Sequence, residues 1–236
     1  MKKVLVIITI TALFSACKKG ENQLDLAKKL YAQAQENLDA TTSKVALNQI
    51  LMLDSTNLVY KDSLARLYMT TGNYKTGVKL GSEVYRNGTA DNNLKETLAL
   101  SYQQLGEIEK SEGLIDELMQ ATGNYKYMYQ KLVLQFDKGD QAAFDTLATN
   151  LLTKIDSDST IANTTISLPG PVTGVNQMVP LKAATLFIIG NNAFDREQNV
   201  QKAVEYFQKS IEEFNQFEMA RYSLQEIERM IMASRR

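Results

Sequence analysis

A single pattern is written twice between Leu58 and Tyr125, and nothing else in the chain constrains the fold as much. Leu64-Ala65 returns as Leu98-Ala99, Tyr68 as Tyr102, Gly72 as Gly106, Tyr74 as Ile108 and Val84 as Leu118, each 34 residues further on. A fixed period of this size marks a helical repeat, whose units are too small to bury their own apolar faces and must lean on their neighbours. Leu64, Ala65 and Tyr68 share one helical face. Gly72-Asn73 ends that helix, because glycine enters the left-handed region without a Cβ penalty. A second helix from Tyr74 turns Tyr74, Gly77, Val78, Gly81, Val84 and Tyr85 inward. Gly77 and Gly81 are poor helix formers, at roughly 1 kcal/mol each against Ala. Their place on an inner face therefore predicts two helices in close approach; the second copy has Ser111 and Ile115 there.

The pattern resembles the tetratricopeptide repeat at Leu64, Ala65, Tyr68, Gly72, Tyr74 and Gly77, and again at Leu98, Ala99, Tyr102, Gly106 and Ser111. It departs where Trp and a closing Pro are frequent: the chain has no Trp, and Thr89 and Gly123 stand at the Pro position. The resemblance implies an all-α fold, a tetratricopeptide-like right-handed superhelix of antiparallel helix pairs. It also implies a partner-binding groove along the first helix of each unit. Carried over residue by residue, that groove holds Asp62, Arg66 and Met69 in the first copy and Glu96, Leu100 and Gln103 in the second. Such a mixed surface suits an extended peptide or a partner helix.

Ahead of the repeats, residues 1–16 read as a signal peptide: Met1-Lys2-Lys3, then an apolar run from Val4 to Ala16 that is too short to span a bilayer. Ser15-Ala16-Cys17 resembles a bacterial lipoprotein signal, with Phe14 as a departure from the usual Leu or Val. That resemblance implies cleavage before Cys17, lipidation of its sulfur and anchoring through hydrocarbon burial. Cys17 is the only Cys, so it has no disulfide partner within the chain. With Lys18 rather than Asp after the Cys, resemblance to sorting rules favours the outer membrane, facing the periplasm or the cell surface. Residues 17–23 form the tether.

Residues 24–155 are expected to be N-terminal helical repeats. A degenerate first unit has a helix from Leu24 to Leu38, a polar break at Asp39 to Ser43, and a partner helix carrying Val45, Ala46, Ile50, Leu51 and Leu53. A third copy turns at Lys138-Gly139-Asp140, one residue early for the 34-residue register. Residues 156–180 then change character. Asp156 to Thr160 reads as a polar loop, and Thr164–Leu168 and Val175–Pro180 alternate with period two about Pro169-Gly170-Pro171, which predicts a small β-hairpin or ordered loop insert. Residues 181–236 return to helix. One helix has Gly190 for close packing, a partner carries Ala203 and Phe207, and a last amphipathic helix from Met219 to Ile231 acts as a solubilising cap.

Composition narrows the function classes. A net charge of −1 gives no basic face for nucleic acid. The absence of His removes Ser-His-Asp and Cys-His catalysis and the usual zinc sites. The run Asp156-Ser157-Asp158-Ser159-Thr160 begins like a calcium loop but lacks the Gly and Glu that such a loop needs. No cofactor, no metal and no catalytic residue is therefore expected. Four Asp-Ser/Thr triplets resemble an O-glycosylation acceptor of Gram-negative envelope proteins, and of these Ser159 is the candidate. The expected function is a lipid-anchored scaffold that binds an envelope protein or peptide. The alternative is a glycan-binding or carboxylate-based enzymatic lipoprotein using the 164–180 insert.

Overall fold

Helix starts keep the period. In the computed structural model, which describes residues 23–234, α1 covers residues 23–36 and is followed by α2 (Ala40–Leu53), α3 (Leu58–Thr70), α4 (Tyr74–Arg86), α5 (Asn92–Gln104) and α6 (Ile108–Thr122). From α2 to α4 to α6, and from α3 to α5 to α7 (Lys126–Lys138), each start lies 34 residues after the last. Helix α8 (Gln141–Ser157) begins one residue early, as its turn predicts. A short α9 (Ser159–Ala162) leads into an antiparallel hairpin of β1 (Thr165–Leu168) and β2 (Gln177–Pro180), in which Ile166 pairs with Val179. Then come α10 (Leu181–Asp195), α11 (Val200–Glu213) and a last helix, α12 (Glu218–Ser234). The expected all-α array of helix pairs with a small hairpin is the observed fold.

One turn geometry recurs. A left-handed residue stands two positions before the second helix at Leu38 (φ 53°), Gly72 (81°), Gly106 (73°), Gly139 (74°) and Gln198 (54°). The next residue but one starts the helix, and in four of the five turns the residue between caps it. Asp39 accepts from Thr41 and Thr42 N–H, Asn73 from Thr76, Asp140 from Ala143 and Asn199 from Lys202. The structure departs from the expected first helix pair in three places. Leu38 does not end α1; it is the turn residue, at the position where the repeat has glycine. Asp39 to Ser43 is no break, because Asp39 caps α2 and the others form its first turns. The inward face of α2 is Ser43, Ala46, Leu47 and Ile50, with Val45 and Leu53 facing outward.

The chain divides into two compact units, one ending at Ser111 and the other beginning at Glu112. Close backbone approach organises the first. A Cβ on Gly77 would lie 2.9 Å from the Ala65 carbonyl oxygen and 2.3 Å from Met69 Cγ, and one on Gly81 2.9 Å from Leu98 Cδ2. One period later, Ser111 fills the Gly77 position and donates its hydroxyl to the Ala99 carbonyl at 2.7 Å. The two repeat tyrosines have matched surroundings. The Tyr68 hydroxyl accepts from Asn48 Nδ2 at 3.2 Å, and the Tyr102 hydroxyl bonds Ser82 Oγ at 2.8 Å, in each case 20 residues upstream. Lys44 lies over the first ring and Lys110 over the second.

The second unit has a single apolar core drawn from α7, α8, α10, α11, α12 and the hairpin. Its axis is α10. Leu181, Ala183 to Gly190, Asn192 and Ala193 are all buried, so this helix is covered all round rather than along one stripe. Gly190 leaves room for the Phe207 ring, which would lie 2.6 Å from a Cβ there, and Phe187 packs between Phe207, tilted to it, and Phe217, edge-on to it. Ile166 and Val179 join this core from the hairpin. The hairpin is also clasped to α12. Glu218 Oε2 accepts from Val172 and Thr173 N–H, both at 3.0 Å, while Gln177 donates to the Gln216 carbonyl and accepts from Glu218 N–H, both at 2.9 Å. The expected polar loop at Asp156 to Thr160 is instead the end of α8 and the start of α9.

Candidate interaction surfaces

In the first unit the carried-over groove residues do different things. Asp62 and Arg66 lie one helical turn apart on α3, and Arg66 Nε donates to Asp62 Oδ1 at 2.9 Å. Arg66 Nη2 reaches Asp91 Oδ1 at 2.7 Å, and the same oxygen caps α5 by accepting Leu94 N–H at 2.7 Å. Arg66 is therefore a staple between α3 and the start of α5. Its guanidinium, with the Leu94 N–H, holds the Asp91 carboxyl below the usual carboxylate range. Met69 is a correction: it is buried, its Cγ lying where a Gly77 side chain would be, so it packs inside the helix pair and lines no groove. Glu96 and Gln103 are half-buried and Leu100 is exposed.

The second unit has a shallow, wide-open cleft of about 580 Å³ that the sequence did not signal. Glu112 of α6, Lys131, Gln135 and Lys138 of α7, and Asp140, Ala142, Ala143, Thr146 and Leu147 around the start of α8 line it. Lys131 Nζ lies 2.8 Å from Asp116 and 3.4 Å from Glu112, and Gln135 Nε2 donates to Glu112 at 3.1 Å. Burial is the largest single influence and works to lower the pKa of the Lys131 ammonium, but the hydrogen bonds and charges of Asp116 and Glu112 together outweigh it and raise the pKa. Extending the carried-over positions by one more period would have given Gln130, Leu134 and Asp137. Leu134 is buried, and the α7 residues that line the cleft, Lys131, Gln135 and Lys138, are each one residue further on, with Gln135 itself largely buried. A rotation of one residue turns a helix by about 100°, which is why the period alone misses this cleft.

The other candidates resolve simply. Asp156 pairs with Lys182 at 3.1 Å, and Asp158 caps α9 through Thr160 N–H at 2.8 Å. Both carboxylates of the calcium-like run are thus engaged within the protein. Ser159 is exposed and opens α9. Among the described residues no group of three or more His, Cys, Asp or Glu is placed to hold a metal ion, and no helix is long and apolar enough to cross a membrane. Cys17, the signal-like residues 1–16 and the tether to residue 22 lie outside the described residues.

The structure is similar to YrrB, a TPR protein with an unusual peptide-binding site, at a TM-score of 0.59 and 14% identity over 90% of this chain and 97% of that one. The fold is that of tetratricopeptide-repeat proteins. It is also similar to MamA, at a TM-score of 0.57 and 14% identity over 82% of this chain and 92% of that one. A MamA from Desulfovibrio magneticus RS-1 gives 0.56 and 10% over 80% and 94%. No family model matches the sequence, and neither does any curated protein. At these identities the likeness is one of fold. The tetratricopeptide geometry accounts for the recurrent left-handed turns and for the small residues at positions 65, 77, 99 and 111.

Proposed function

We propose that this chain is a protein-interaction module that holds an extended peptide segment of an envelope protein, and that it works from a lipid anchor at Cys17. The observation that carries the reading is the cleft at Glu112, Lys131, Gln135 and Lys138. Its polar side is a network already joined, Lys131 to Asp116 and Glu112 and Gln135 to Glu112, together with Lys138, and Ala143 and Leu147 add apolar lining. An extended peptide needs backbone hydrogen bonds from fixed polar groups and an apolar floor for alternate side chains. Support comes also from YrrB, which has this fold and a peptide-binding site by its description. In the first unit Glu96, Leu100 and Gln103 form a lesser surface, and Asp62 and Arg66 serve it mainly by fixing α3 against α5.

The anchor reading rests on the Ser15-Ala16-Cys17 signature and the outer-membrane location on the absence of Asp after Cys17. Glycosylation at Ser159 rests on its exposure beside Asp158. The glycan-binding or enzymatic reading of the 164–180 insert has no comparable support, since the carboxylate nearest its turn, Glu218, is engaged with two backbone amides.

Two exposed residues of α8 allow a test that spares the core. Ala142→Arg with Thr146→Arg fills the cleft mouth. Peptide or protein partners captured from membrane extract by the full chain should fall by more than tenfold, with the melting curve unchanged. An unchanged partner set at equal stability rejects the cleft. Mass spectrometry of the mature chain tests the anchor, which requires an N-terminal Cys17 carrying acyl mass.

A further inference from the structure

The exposed end of the first helix pair carries a feature that neither repeat packing nor the peptide cleft uses. A groove of about 470 Å³ lies between α1 and α2, lined by Gln23, Leu26, Ala27, Leu30, Gln49, Met52 and Leu53. Every lining residue belongs to α1 or α2, and the outer three are strongly exposed for apolar side chains: Leu26 67%, Met52 84% and Leu53 46%. A stacked repeat pair is covered on two sides, and a terminal pair needs a polar outer face or another cover. This one presents an apolar groove instead.

The chain leading into the groove says what covers it. Gln23, on the groove rim, is six residue steps from Cys17. At full extension that span reaches at most about 22 Å. An acyl-bearing Cys17 therefore keeps the groove rim within that distance of the bilayer that buries its acyl chains. The approach is basic: between Cys17 and Leu30 stand Lys18, Lys19, Lys28 and Lys29 against Glu21 and Asp25. Cationic residues beside an apolar face are the composition of a surface that settles into the headgroup region. We infer that the α1–α2 groove is a lipid-docking face, with Leu26, Met52 and Leu53 entering the outer hydrocarbon of the membrane to which Cys17 tethers the chain. The inference rests on the anchor reading. It adds that the first repeat pair sits on the bilayer rather than swinging free on its tether.

The single cysteine makes the test self-controlling. Full-length chain is purified from membranes, treated with a thiol-reactive environment-sensitive fluorophore, and placed in vesicles of phosphatidylethanolamine and phosphatidylglycerol. If Cys17 is acylated the unaltered chain takes no label, and Met52→Cys provides the one reactive thiol; Lys75→Cys, exposed at the start of α4, is the control. The expected result is a several-fold rise and blue shift of the Met52→Cys signal on vesicles, quenched by nitroxide lipid, with Lys75→Cys unchanged. A polar Met52→Cys signal on vesicles that still hold the chain leaves the anchor standing and overturns the docking face. Labelling of the unaltered chain at Cys17 overturns anchor and docking face together. A Met52→Cys signal that rises with protein concentration in the absence of vesicles assigns the groove to a second copy and also overturns the inference.

Discussion

Leu38 stands where three of the five helix turns have glycine, and its φ of 53° is strained for a side chain with a Cβ. It is also 92% exposed, so it returns no packing for that strain. Leu38→Gly should raise the melting temperature, by a free energy of up to about 1 kcal/mol once the larger entropy of the unfolded glycine chain is set against the relief. Thermal or urea denaturation reads this directly, and a lower melting point would mean the turn is not strained. Glycines on helices make a complementary pair. Gly77→Ala pushes a Cβ into the Ala65 carbonyl and the Met69 backbone nitrogen, each 2.9 Å away, and should destabilise by roughly 1–3 kcal/mol. Gly113→Ala on α6 meets nothing within 4 Å and should stabilise by roughly 0.5–1 kcal/mol through helix propensity alone. The opposite signs of two identical substitutions, measured by the same denaturation, test the close approach of α3 and α4.

The turn of the hairpin is held by a side chain from outside it. That side chain is Glu218, whose carboxyl the N–H of Thr173 keeps below the usual glutamate range. A folded pKa below the unfolded value of about 4.3 contributes order that is complete above that value. That order is lost as pH falls through the depressed folded value. Amide resonances of Val172 and Thr173 should therefore move together in an acid titration that begins below about pH 4, while Glu218→Gln should show the released positions at neutral pH and no titration. If the two amides titrate apart, the clasp is not what holds the turn. The Arg66 staple behaves in the same sense: Asp91, also depressed, supports the α3–α5 contact at neutral pH and lets it go in acid. Arg66→Ala should weaken that contact with or without a partner present, so loss of binding in that variant would not by itself locate a groove.

At the scale of the molecule the two units are stabilised differently. The first relies on short contacts between successive helices, such as Gly81 on Leu98 and Tyr31 against Tyr60, whose ring centroids lie 6.0 Å apart. The second wraps several elements around α10. Amide exchange follows the depth of burial and the number of elements that must open together. The amides of α10 should exchange last and those of α1 first. Equal protection of the two helices would contradict a core centred on α10.

The sequence by itself settled what is local or periodic. The 34-residue recurrence located the helix pairs, Gly72, Gly106 and Gly139 located their turns, and period-two alternation with its prolines located the hairpin. These signals are legible because propensity, glycine conformation and facial periodicity act over a few residues and leave their mark in order along the chain. Tertiary structure alone decided the rest. It put Met69 over Gly77 instead of in a groove, joined Arg66 to the cap of α5, enclosed α10 on every side and set the cleft-lining residues of α7 one residue past the periodic positions. It also brought Glu218 to Val172, 46 positions away. The physical reason is that such contacts join residues with no fixed spacing. Which face of a helix is covered depends on the neighbours that arrive there, and a polar side chain is spent or available according to what it meets in space.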